Sequence, residues 1–205
     1  EHNISGKLPV SVKGTIYKKG DGINLLKEKG KTSGNDKKFK IIDELVLKGI
    51  SDSVFPAASI AIIKDGKIFY EQAYGRFTYD KDSDPVKLNS LFDLASLTKV
   101  TATTFAVMKL YEEGKINLDS PVEKYFPEFK EKSKVTIKHI LTHSSGLPAS
   151  KVYYKLELEG EEIIADICNQ KLEYTPGSKT VYSDLGMIIM AKVVERISGR
   201  SFEEY

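Results

Sequence analysis

Asp93-Leu94-Ala95-Ser96-Leu97-Thr98-Lys99-Val100 sets a serine three residues ahead of a lysine inside an apolar run. On a helix, positions i and i+3 share a face, so the two side chains can meet if a helix begins at or just before Ser96. A serine hydroxyl is a poor nucleophile at neutral pH and needs a base within hydrogen-bond reach. Lysine can be that base where burial and nearby positive potential lower its pKa. Leu94, Ala95, Leu97 and Val100 are expected to supply the burial. A helix starting there would also point its positive end at any oxyanion formed on the serine. This is the only Ser-x-x-Lys in the 205 residues, yet so short a pattern takes its meaning from its surroundings.

Downstream, Tyr182-Ser183-Asp184 follows the turn Thr175-Pro176-Gly177 and precedes a helical run from Leu185 to Ile197 closed by Gly199. A tyrosine at such a junction can present its hydroxyl as a proton carrier, and a short polar side chain two residues on can hold a lysine or a substrate amide. Upstream, Ala58–Ile63 and Ile68–Gly75 flank Lys64-Asp65-Gly66-Lys67, a hairpin signal because the tight turn needs positive φ. Apolar spacing predicts a helix over Lys37–Leu47 ended by Gly49, a long one over Thr98–Glu113 ended by Gly114, and shorter ones over Ile137–Thr142 and Glu161–Cys168.

With these elements in this order, the sequence resembles the serine β-lactamase and penicillin-binding protein superfamily, most closely its class C-like branch of β-lactamases, D-amino-acid peptidases and esterases. Phe55-Pro56-Ala57-Ala58-Ser59-Ile60-Ala61-Ile62, His139-Ile140-Leu141-Thr142-His143-Ser144-Ser145-Gly146-Leu147-Pro148 and Tyr182-Ser183-Asp184-Leu185-Gly186 share in the resemblance. It implies an α+β, β-lactamase/transpeptidase-like fold, here a helical lobe plus the first hairpin of an antiparallel sheet whose later strands are missing. It further implies that Ser96 is the acylated nucleophile, Lys99 its proton-accepting partner and Tyr182 a sharer of proton transfers. The resemblance also puts Asp184 where the family often has Asn, lining the cleft near Lys99. A carboxylate there would favour protonated Lys99 and shift the burden toward Tyr182, unless Asp184 points away or is itself neutralised.

The family's third motif, Lys-Thr-Gly or His-x-Gly on a late strand, has no counterpart after Tyr182; Lys31-Thr32-Ser33-Gly34 carries an extra residue and lies in the wrong order. Residues 37–205 are therefore expected to be a β-lactamase-like domain that is incomplete at its C-terminal side, and inactive as a fragment. Ser201-Phe202-Glu203-Glu204 has the form of a capping box at a helix start, so the polypeptide is expected to continue past Tyr205. The opening Glu-His-Asn, without Met, suggests a processed or excised chain.

Residues 1–36, rich in Gly and Lys, read as a linker with a short strand at Leu8–Val12, or as the tail of an upstream domain. Ser5-Gly6-Lys7-Leu8-Pro9-Val10-Ser11-Val12 followed by Lys19-Gly20-Asp21-Gly22 is similar to the closing segment of a family-three glycoside hydrolase, some of which are joined to a β-lactamase-like domain. Ten lysines against four acidic residues give residues 1–40 a local +6 within a net +2. That balance does not argue for a nucleic-acid partner, and the basic segment reads as solvated.

No window has the uninterrupted apolar length of a membrane span. Cys168, the lone cysteine, is expected to be a buried structural thiol among Ile163, Ile164 and Ile167. His139 and His143 stand four apart, but Ile140 occupies the place of a metalloprotease Glu, so helix-end packing is expected and neither metal nor cofactor is assigned. Asn3-Ile4-Ser5 fits a glycosylation acceptor, but nothing here argues for a eukaryotic secretory route.

The expected activity is that of a serine hydrolase or acyltransferase acting through an acyl-enzyme on β-lactam, D-alanyl peptide or small ester substrates, outside the cytoplasm as the resemblance implies. The alternative is a catalytically silent accessory module of this fold in a cell-wall or sugar-processing protein.

Overall fold

A computed structural model describes residues 4–7, 22–25, 37–132 and 134–205. They divide into two compact units, one ending at Asp93 and the other beginning its main run at Leu94.

In the first unit, β1 (Ile4–Lys7) pairs antiparallel with β2 (Gly22–Leu25), Ile4 opposite Leu25. The expected strand at Leu8–Val12 lies outside the described residues, and the reading of 1–36 as linker had not anticipated this pair. Helix α1 (Lys37–Ser51) runs through Gly49 rather than ending there. The correction has a packing cause: a Cβ on Gly49 would stand 2.7 Å from the Phe55 ring, so glycine admits the ring, and the chain turns at Ser53 with φ 57°.

The hairpin forms as expected. β3 (Ala57–Lys64) and β4 (Lys67–Gly75) pair with Ala58 opposite Tyr74 and Ile62 opposite Tyr70. Asp65 and Gly66 at the turn both take positive φ, 50° and 73°, the twist a two-residue hairpin loop requires. Period-2 alternation turns Ala58, Ile60, Ile62, Tyr70 and Tyr74 to one side, where they pack with Phe39, Ile42 and Val46 of α1. Asp43 Oδ1 accepts from both tyrosine hydroxyls at 2.6 and 2.7 Å, which satisfies the polar ends of two buried rings.

The second unit is helical. A π-helical turn (Lys99–Thr103) continues as α2 (Thr104–Glu112), and Gly114 leaves the helix at φ 70°. After two 3₁₀ segments come α3 (Ile137–Leu141), α4 (Glu161–Asn169) and α5 (Asp184–Ser198). Val107 and Leu110 of α2, Ile137 and Ile140 of α3, Ile167 of α4 and Leu185, Ile189 and Met190 of α5 share one core. Gly199 closes α5 in the left-handed conformation, its amide on the Glu195 carbonyl. Cys168 is buried in this core, and burial raises its thiol pKa.

The expected capping box at Ser201 does not form a helix start among these residues. The amides of Glu204 and Tyr205 close a single turn on the Ser201 carbonyl, and the Phe202 amide is taken by Glu195 Oε1.

Candidate active site

Ser96 follows Ala95, a non-glycine residue held at φ 45°, and helical structure begins at Leu97. The left-handed residue turns the chain sharply, so Ser96 stands at the head of the helix with its carbonyl already taken by the Lys99 amide at 3.1 Å. Backbone held in this sparsely populated region costs on the order of 1–3 kcal/mol and clusters at functional sites. From Lys99 the helix widens: the Lys99 carbonyl accepts the amide of Thr104, five residues on, and the Thr104 hydroxyl at 2.8 Å. Single π turns inside helices are common at such sites because they re-aim one side chain.

The lysine Nζ donates to Ser96 Oγ at 3.3 Å and pairs with Asp184 Oδ1 at 2.8 Å. The same ammonium lies 5.2 Å from the centre of the Tyr182 ring. All four residues named from the sequence therefore meet at one place, drawn from the head of one helix, the start of another and the loop just before it.

The basis of Lys99 burial differs from expectation. Leu94, Leu97 and Val100 are each more than half exposed, whereas the lysine side chain is 17% exposed. Its shelter comes from across the fold, at Tyr182 and Asp184, and that shelter changes its charge preference. The Asp184 hydrogen bond, with a smaller contribution from Tyr182, outweighs burial and raises the Lys99 pKa. The phenol of Tyr182 moves the other way: interaction with Ser96 first and Lys99 second favours its anion and lowers its pKa.

Asp184 is the first residue of α5, where the helix dipole favours a carboxylate. Ser183 is the N-cap, its Oγ accepting the Gly186 amide at 3.3 Å and donating to the Pro148 carbonyl at 2.7 Å. The Asp184 amide donates to the Ala149 carbonyl at 2.8 Å. The Tyr-Ser-Asp segment is thus fastened to the loop after α3 at its cap and at the residue that follows it.

His143, expected from the sequence only in helix-end packing, stands beside this cluster. Its Nδ1 accepts the Ser183 amide at 3.1 Å, and its ring lies 4.4 Å from that of Tyr182 at a 34° tilt. The two partners are forty residues apart in sequence, so no local spacing signals them. His139 instead closes the cap of α3: its Nδ1 accepts the Thr136 amide while its own amide donates to Thr136 Oγ1, both at 3.2 Å. The two histidines are engaged with separate backbone segments, and among the described residues no cluster of His, Cys, Asp and Glu could hold a metal.

The β-lactamase family model matches residues 42–205. An Escherichia coli (strain K12) protein, provisionally named a D-alanyl-D-alanine carboxypeptidase, is 36% identical over 175 residues, 75% of this chain and 40% of that protein. Among solved structures, the octameric penicillin-binding protein homologue from Pyrococcus abyssi superposes with TM-score 0.69 at 30% identity, over 81% of this chain and 40% of that one. A class C β-lactamase gives TM-score 0.71 at 26% identity, over 84% and 48%. The chain spans less than half the length of these relatives, and in that span it carries the β-lactamase/transpeptidase-like fold. It belongs to the β-lactamase family.

Proposed function

We propose that this chain carries the nucleophile and proton-transfer groups of a serine hydrolase or acyltransferase. The observation that carries the reading is the contact chain Ser96–Lys99–Asp184, at 3.3 and 2.8 Å, with Tyr182 beside the ammonium. Lys99, held cationic by Asp184, stabilises the Tyr182 phenolate. The phenolate takes the Ser96 proton as Oγ bonds to the substrate carbonyl carbon. Collapse of the tetrahedral adduct expels the leaving amine or alcohol, which receives that proton, and leaves an acyl-serine. Water or an acceptor amine then attacks the acyl carbon, gives its proton to Tyr182, and Ser96 departs with a proton restored.

The substrates are β-lactams, D-alanyl peptides or small esters. The names of the relatives favour the peptide class. Extracytoplasmic location and an upstream glycoside hydrolase domain, with residues 1–36 as its tail or as a linker, belong to the same proposal. The sequence preceding Glu1 in the natural polypeptide tests the fusion. Among the described residues no helix is long and apolar enough to cross a membrane.

The decisive experiment treats the intact natural polypeptide with a fluorescent penicillin or fluorophosphonate and locates the adduct by peptide mass spectrometry. An adduct on Ser96, abolished in Ser96→Ala and slowed roughly 10²- to 10⁴-fold in Tyr182→Phe, is expected. A folded protein that never labels at Ser96 would overturn the reading in favour of the accessory module.

A further inference from the structure

We propose that His143 is a positioning residue for Tyr182: its neutral imidazole is both the shelf under the phenol ring and the acceptor that fixes the Ser183 amide, so it sets where the Tyr182 hydroxyl stands relative to Ser96. The inference rests on the hydrolase reading for its kinetic test, but its geometry is independent of it.

Three observations converge. The ring contact with Tyr182, at 4.4 Å between centres, is close enough to fix the phenol's plane. The Ser183 amide donates to Nδ1 at 3.1 Å, so the proton of a neutral ring sits on Nε2. The histidine is itself pinned at φ 54°: its amide is on the Ile140 carbonyl at 3.0 Å, and its own carbonyl accepts Val181 at 2.8 Å and the Tyr174 hydroxyl at 3.5 Å. Val181 and Ser183 bracket Tyr182, so one residue holds the backbone on both sides of the tyrosine and packs on the ring between them.

This arrangement works only with neutral imidazole. A second proton on the ring would set N–H against the Ser183 N–H and break the bond. Among the described residues, the charged and titratable groups facing His143 are Lys99 from the nucleophile helix, Asp184 at the head of α5, Tyr182 from the loop before it, and Tyr174, whose hydroxyl reaches the His143 carbonyl rather than the ring. Burial first, then the Lys99 cation, keep the His143 pKa below its ordinary value, against a smaller opposing pull from Asp184. The ring therefore stays in the accepting form through neutral pH.

His143→Asn suits the test because asparagine tolerates the left-handed backbone while removing the ring. In the intact polypeptide, its Ser96 labelling rate is expected to fall about a hundredfold, as for a misplacement near 1 Å, while its circular dichroism spectrum stays that of the folded wild type. His143→Phe, which restores a ring without the acceptor, should recover part of that loss. The wild type should also show an extra loss of rate on the acid side as His143 protonates, absent from His143→Asn. Labelling of His143→Asn at the wild-type rate at every pH would sink the proposal. If the wild type itself does not label, the hydrolase reading fails, and His143 is judged by ¹³Cζ titration of Tyr182. That titration should rise toward an ordinary phenol in His143→Asn, and an unmoved titration overturns the positioning role.

Discussion

A carboxylate oxygen 2.8 Å from an ammonium holds the proton there, so in the proposed chemistry Lys99 acts as a cation and Tyr182 is the group whose proton moves. The two pKa directions agree: Lys99 is raised chiefly by Asp184, and Tyr182 is lowered by Ser96 and Lys99 while Asp184 opposes it. Asp184→Asn removes the negative charge from both. The Lys99 pKa then falls, so its cation is lost at a lower pH, and the Tyr182 pKa falls as well, so its phenolate appears at a lower pH. Both limbs of the pH profile for Ser96 acylation are expected to move downward together. The check is a labelling-rate profile of wild type and Asp184→Asn, and an unmoved alkaline limb would show that Asp184 does not govern Lys99.

At the scale of elements, the site depends on how α5 begins. Ser183 caps the helix, donates to the Pro148 carbonyl and gives its amide to His143. Ser183→Ala removes the first two while leaving the backbone amide, and is expected to cost at least about 1 kcal/mol in urea unfolding. A denaturation midpoint equal to wild type would show that the Pro148 loop is held by other contacts. Much of this level was legible in advance. The Asp65-Gly66 turn, most helical spans and the meeting of Ser96 with Lys99 follow from turn chemistry and periodicity, whereas Tyr182 and Asp184 were placed beside them only by the family resemblance. What was not legible depends on which side chains meet once the chain has turned. Gly49 looked like a helix stop because glycine destabilises helices, but the Phe55 ring needs the space. The flanking leucines looked like the walls around Lys99, yet they face outward and the walls come from more than eighty residues away. His143 could be found only once the loop after α3 and the loop before α5 lay side by side.

For the whole molecule, the two described sheets each hold only two strands, β1 with β2 and β3 with β4. Two-stranded sheets are marginal by themselves, and an open edge presents unpaired backbone groups to any partner strand. In the same unit, Ile41, Leu45 and Leu47 of α1 and Ile63 of β3 are each about half exposed or more. Burying such side chains is worth roughly 1.5–3 kcal/mol each, so a protein that leaves several uncovered has stability still to gain from further chain or a partner. This chain covers only 40% to 48% of the length of the relatives it matches. The helical unit has one extended buried core, leaves Leu94, Leu97 and Val100 exposed in turn, and contains the entire Ser96–Lys99–Tyr182–Asp184 cluster. We therefore expect the isolated 205-residue chain to fold its helical unit, to bind an apolar dye such as ANS, and to show no Ser96-dependent turnover of a chromogenic cephalosporin or aryl ester. Turnover by the isolated chain that is lost in Ser96→Ala would show that the helical unit and a single hairpin suffice to bind and transform the substrate.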